Sequence, residues 1–264
     1  MLNNIPQVTK NLLLLNVFVF ILSLVLYGKG IDLNHLLSTH AIGSPLFQPY
    51  QVVTHMFAHA FFDVSTLYAG FLHLLMNMWL FVMLGGYLER LWGPKRFFIF
   101  FLLCGFGAFL LQNAMSAYQL FDLKAKISAS GIDISTINYY ITSTSSIQES
   151  LSEIDNMGNI SQSQATLIID YVMQSNSSML GASGAVFGVL AAFAILFPNQ
   201  EFMLYFAIPV KAKFLVGGYF IYEVYLSFQN NPNDQVAHLA HVGGAIAGAL
   251  IVLYWRKRDR TNFY

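Results

Sequence analysis

Charged residues are scarce in this chain: 10% of its 264 residues are Asp, Glu, Lys or Arg, where soluble domains average about 25%. With 56% of the sequence hydrophobic, a soluble fold of this size could not hide its apolar surface. The class that remains is a polytopic membrane protein. Net charge is missing too. Thirteen basic residues balance 13 acidic ones, so the electrostatic footprint of a nucleic-acid binder is absent. Cysteine is nearly absent: Cys104 stands alone in an apolar run, which excludes a disulfide framework and reads as a small buried or lipid-facing side chain. The first apolar run, Asn11 to Tyr27, ends without a small-x-small cleavage site and is expected to be a retained span.

Six stretches are present that can cross a bilayer as helices, at about 20 residues each. They run over about residues 11–27, 66–86, 97–118, 180–197, 211–229 and 236–255. None alternates polar and apolar residues as a membrane strand would, so an all-α, six-helix bundle forming a single domain over 1–264 is expected. With the N-terminus in the cytoplasm, ten basic residues fall inside (Lys10, Arg90, Lys95, Arg96, Lys211, Lys213, Arg256, Lys257, Arg258, Arg260) and three outside (Lys29, Lys124, Lys126). The positive-inside rule then places both termini in the cytoplasm. With no transit peptide at the start, a bacterial cytoplasmic membrane is expected.

Residues 121–178 form the one stretch that is not membrane-like, rich in Ser, Ile, Asn and Gln. The threading puts it outside, as an extracytoplasmic insertion too short and polar for a large core of its own. The apolar spacing in "IQESLSEI" and "ATLIIDYVM" allows one or two amphipathic helices; a flexible insertion fits equally well.

Polar groups inside spans are costly and each needs a reason. His73 and Asn77 in "HLLMN" lie four apart, on one helix face. They can converge on one oxygen, or simply bond a neighbouring helix. Ser183 opens an apolar helix in "MLGASGAVFGVL", where a helix cap would be the plain explanation. The glycines argue otherwise. Gly184 and Gly188 make a small-xxx-small face on the fourth span, and Gly244 and Gly248 make another on the sixth, three residues after His241. If those faces meet, as such faces do in membranes, Ser183 and His241 arrive at similar depth, with Phe187 one turn on as a flat support for the imidazole. A serine beside a histidine is the minimum for an activated alcohol. The Ser183 backbone N–H, with His73 and Asn77, can then hold the oxyanion. No carboxylate is evidently placed to orient His241, so the pair reads as a dyad.

These residues resemble the rhomboid intramembrane serine proteases. "GASG" at 181–184 resembles that family's nucleophile motif, "HVGGAIAG" at 241–248 its His-x-x-Gly-x-x-x-Gly, and "HLLMN" at 73–77 its His-x-x-x-Asn, in the right order and on the right spans. The resemblance implies Ser183 and His241 as catalytic, with His73 and Asn77 at the oxyanion and Gly181, Gly184 and Gly244 in support. It further implies transmembrane protein substrates, cut in or near their spans from a water-filled cavity. There are departures. Tyr50 and Gln51 stand where the family often has Trp-Arg, and the stretch from Ala60 to Gly70 looks long.

The remaining polar motifs are weaker. His55 and His59, and His238 and His241, have spacings that can bind metal, but no Glu lies between them as a metalloprotease requires. Neither a metal nor another cofactor is therefore expected. Glu223, toward the outer end of the fifth span, reads as a carboxylate at the interface or paired with a donor in the bundle. A non-catalytic scaffold binding client helices is the second function class. A transporter ranks third, because no internal repeat relates two halves.

Overall fold

In the computed structural model the residues described are 4–59, 67–144, 146–155, 158, 160–204, 208–229 and 236–258. In chain order they form α1 (Gln7–Tyr27), α2 (Leu33–Leu37), β1 (Thr39–His40), α3 (Gln51–Thr54), α4 (Leu67–Leu80), α5 (Gly86–Trp92), α6 (Pro94–Ala129), α7 (Ile134–Ser143), α8 (Ile147–Asp155), α9 (Gln162–Asn176), β2 (Ser178–Met179), α10 (Ser183–Leu196), β3 (Glu201–Leu204), β4 (Ile208–Lys211), α11 (Ala212–Ser227) and α12 (His238–Arg258). A π-helical turn, Phe81–Gly85, joins α4 to α5. Most of the long stretch from Ala60 to Gly70 lies outside the described residues.

Four helical stretches among the described residues are long and apolar enough to cross a membrane: Gln7–Tyr27, Leu67–Trp92, Pro94–Ala129 and His238–Arg258. Six were expected. The other two, α10 with 14 residues and α11 with 16, fall short of the roughly 20 residues a full crossing takes. The third helix differs in the other direction. It was expected to end near residue 118 and instead runs on to Ala129.

The chain divides into two compact units. The larger comprises residues 1–37, 53–112 and 180–264. Its core includes Phe81, Phe97, Phe100, Phe101 and Trp92, with the rings of Phe81 and Phe101 5.1 Å apart. Glu89 is buried here, and its carboxylate accepts from the backbone N–H groups of Val8 and Thr9 at 2.9 and 2.7 Å and from the Thr9 hydroxyl at 2.7 Å. Those N–H groups are among the first-turn donors that α1 leaves without a helical partner, so Glu89 ties the start of α1 to α5. Apolar side chains on the outside, such as Phe18, Trp79 and Leu250, suit a lipid solvent rather than water.

Within this unit α10 is buried over Gly184–Phe193. It owes that position to glycine. A Cβ on Gly244 would collide with the Gly184 carbonyl, and one on Gly248 would lie 2.5 Å from the carbonyl oxygen of Gly188. Helices α10 and α12 therefore touch backbone to backbone, as small-xxx-small faces allow.

The smaller unit comprises residues 38–52 and 113–179. The end of α6 and helices α7 to α9 bury Leu120, Ile127, Ile137, Ile154 and Ile168 together. Asp133 caps α7 by accepting from the Ser135 N–H, and Ser161 with Gln164 forms a capping box at α9. Three helices and a shared core stand where one or two amphipathic helices or a flexible segment were expected. Gln51 is buried in this unit, with Oε1 accepting from the Gln48 N–H at 3.0 Å and Nε2 donating to the Leu46 carbonyl at 3.3 Å. These bonds tie the turn from Leu46 to Gln51 together, while Tyr50 is exposed.

Candidate active site

Helix α10 begins at Ser183 because the turn before it is pinned. Gly181 has φ +118°, a conformation that glycine adopts at no steric cost, and its N–H donates to the His55 carbonyl at 2.8 Å. The N-cap residue is Ala182, and no side chain caps the helix. The Ser183 hydroxyl is therefore not used as a cap. It lies 2.8 Å from His241 Nε2, half-buried at the top of the glycine seam.

His241 is held on three sides. The Phe187 ring stacks on the imidazole with centroids 4.2 Å apart and planes 9° from parallel. Ser183 faces Nε2. On the opposite edge, Glu223 Oε2 lies 2.9 Å from Nδ1. The same carboxylate oxygen lies 2.6 Å from Nδ1 of His238. The expectation that no carboxylate sits beside His241 is thus corrected. Glu223, 3% exposed, is paired inside the bundle, the second of the two places the sequence allowed it. The spacing of residues along α11 says nothing of its register against α12, and that register decides the contact.

His73 and Asn77 lie close to each other but make no hydrogen bond to Ser183. Asn77 Nδ2 donates to the His73 carbonyl of its own helix at 2.9 Å. The position that a Cβ would take on Gly181 is 3.3 Å from His73 Cε1 and 3.7 Å from Ser183 Oγ, so imidazole and hydroxyl border the same small space. His59 is fully buried, its ring 5.5 Å from that of His73, and neither ring nitrogen has a partner among the described residues. His55 packs against Phe109 instead. Beside Phe187 an apolar cavity of about 320 Å³ is lined by Leu190, Ala191, Val216, Phe220 and Ala245 among others.

The side chains of Glu223, His238 and His241 bring three donor atoms within 4.8 Å of one another, close enough to share a metal ion. Both Nδ1 atoms already sit at hydrogen-bonding distance from one carboxylate oxygen, and an ion there would have to replace those bonds.

The model of the rhomboid domain matches residues 46–157 and 156–258. The chain belongs to the rhomboid family. That membership, with four membrane-capable helices, makes it an integral membrane protein; the family's members are in general intramembrane serine proteases acting on membrane proteins. A curated relative is an uncharacterized mitochondrial rhomboid protein of Schizosaccharomyces pombe, 41% identical over 89 residues. The match covers 31% of this chain and 23% of that relative. In this rhomboid the motif residues Ser183 and His241 come together directly, and His73 borders the same space.

Proposed function

We propose that this rhomboid is an intramembrane serine endopeptidase that hydrolyses a peptide bond in or near the transmembrane segment of another membrane protein. The observation that carries the reading is the 2.8 Å separation of Ser183 Oγ and His241 Nε2 inside a membrane-protein core. As Ser183 Oγ attacks the substrate carbonyl carbon, its proton passes to Nε2. The tetrahedral oxyanion is met by the Ser183 backbone N–H and by His73 and Asn77. Asn77 has a second amide hydrogen beyond the one on the His73 carbonyl. Each such donor is worth roughly 3 kcal/mol of barrier. Collapse breaks the C–N bond, and Nε2 returns the proton to the leaving amine. Water then attacks the acyl ester by the same route and frees Ser183. The apolar cavity beside Phe187 suits a hydrophobic substrate side chain.

In this reading α10 and α11 complete a six-helix bundle. Helix α10 is short because protein rather than lipid surrounds it, so its length need not match the bilayer. The whole of 1–264 acts as one transmembrane domain carrying 121–178 as an extracytoplasmic insertion. Both termini are cytoplasmic, on the strength of the lysine and arginine asymmetry. The relative named above is mitochondrial, and the asymmetry bears on sidedness alone.

Reconstituted protein should cut a single-span substrate in liposomes, and Ser183→Ala should leave it intact. Product formed by that variant would remove the assignment. Client binding with no product from the unaltered protein would favour a scaffold.

A further inference from the structure

We propose that Glu223 is a positioning residue of the hydrolytic centre, holding His241 in the tautomer and orientation that lets it take the Ser183 proton, with His238 steadying the carboxylate. The inference rests on the proteolytic reading and adds a third member to the expected pair.

The argument starts from donors and acceptors. An ionised carboxylate only accepts, and a neutral imidazole carries one N–H. With Glu223 Oε2 at 2.9 Å from Nδ1, the proton belongs on Nδ1. That leaves the Nε2 lone pair facing Ser183 Oγ at 2.8 Å, as a base requires. The tautomer is assigned from these hydrogen-bond partners. Without the carboxylate nothing among these contacts favours Nδ1–H over Nε2–H, and the second tautomer cannot accept from the serine.

His238 explains how a carboxylate can be kept at this depth. A buried charge is costly unless it is hydrogen-bonded. Oε2 receives two N–H donors, from His241 and from His238, the latter at 2.6 Å. The two rings meet it at 89° to each other with centroids 6.2 Å apart, so the oxygen is fixed from two directions. When the Ser183 proton arrives on Nε2, the imidazolium has a negative partner already in place and no group need reorient.

The competing explanation is that Glu223 merely fastens α11 to α12. Kinetics separate the two. Glu223→Gln preserves the volume but offers an amide that can donate to Nδ1 and so select the wrong tautomer. Glu223→Asp retains the charge on a shorter stem. In liposomes containing a single-span substrate, E223Q should lower kcat by roughly 10²- to 10⁴-fold with KM little changed. E223D should recover at least about tenfold of that loss. The rate at which a fluorophosphonate labels Ser183 should fall in parallel, at an unchanged melting midpoint in detergent.

The role is overturned if E223Q stays within about threefold of the wild-type kcat, if only KM moves, or if E223D is as slow as E223Q in an equally stable protein. Should E223Q fail to fold, E223D alone decides: its shorter stem should slow labelling of Ser183 by more than about threefold at an unchanged melting midpoint, and a labelling rate within about threefold of wild type overturns the role. Loss of wild-type activity in EDTA with recovery on zinc would make Glu223 a ligand instead and sink the proposal. A wild-type protein that neither cleaves nor labels removes the protease reading itself, a different failure from cleavage that ignores residue 223.

Discussion

Ser183, His241 and Phe187 form the part of the centre that spacing alone makes legible. Ser183 and Phe187 are one turn apart on α10, and the glycines beside Ser183 and beyond His241 mark two faces able to meet, which they do in the structure. Asn77 tests the oxyanion assignment. Asn77→Ala should lower kcat roughly 10²- to 10³-fold without moving KM, measured on the same substrate in liposomes. An unchanged kcat would mean that its amide stays on the His73 carbonyl, where it now sits at 2.9 Å. Glu223 was not legible, and the reason is physical. Its partners are on another helix, 15 and 18 residues on, and no periodicity in α11 encodes the rotation that aims it at α12. A carboxylate within a span was a signal that it had a role, but not with whom.

At the scale of elements, two contacts carry predictions. Gly244→Ala sets a methyl against the Gly184 carbonyl, and overpacking of this kind costs about 1–3 kcal/mol. Both the melting midpoint and the cleavage rate should fall, because the same shift parts the serine from the histidine. Gly218→Ala, with nothing within 4 Å of the added methyl, should leave the cleavage rate unchanged and should not lower the midpoint, since Ala favours the helix. Glu89→Ala leaves the buried Thr9 N–H and the half-buried Val8 N–H of α1 without their acceptor, at about 1–3 kcal/mol for the buried one. It should lower the thermal midpoint while sparing kcat below that midpoint; a loss of kcat at full stability would contradict the capping role.

Four of the six expected spans coincide with helical stretches long and apolar enough to cross a membrane, the second running past residue 86 to Trp92 and the third past 118 to Ala129. The far end of α6 lies beyond the point where hydropathy falls, yet Leu120 and Ile127 continue an apolar face that α7 to α9 cover. Asp133 and the Ser161–Gln164 pair were cap signals available in the sequence and left unused.

For the whole molecule, sidedness and metal independence are the testable properties. A cysteine placed at Ser143 should react with an impermeant maleimide added to intact cells, whereas one at Asn4 should react only after lysis; the reverse pattern would invert the proposed orientation. Cys104, fully buried, should contribute no background. Cleavage should persist in EDTA, since the proposed chemistry uses only protein groups.

The glycine contact between α10 and α12 has a consequence for how this molecule should fail. Main chain against main chain has no rotamers through which to loosen by degrees, so the reactive spacing is inherited from two rigid rods. Turnover should therefore hold steady as heat or a harsher detergent softens the outer side chains, then vanish abruptly when the rods separate.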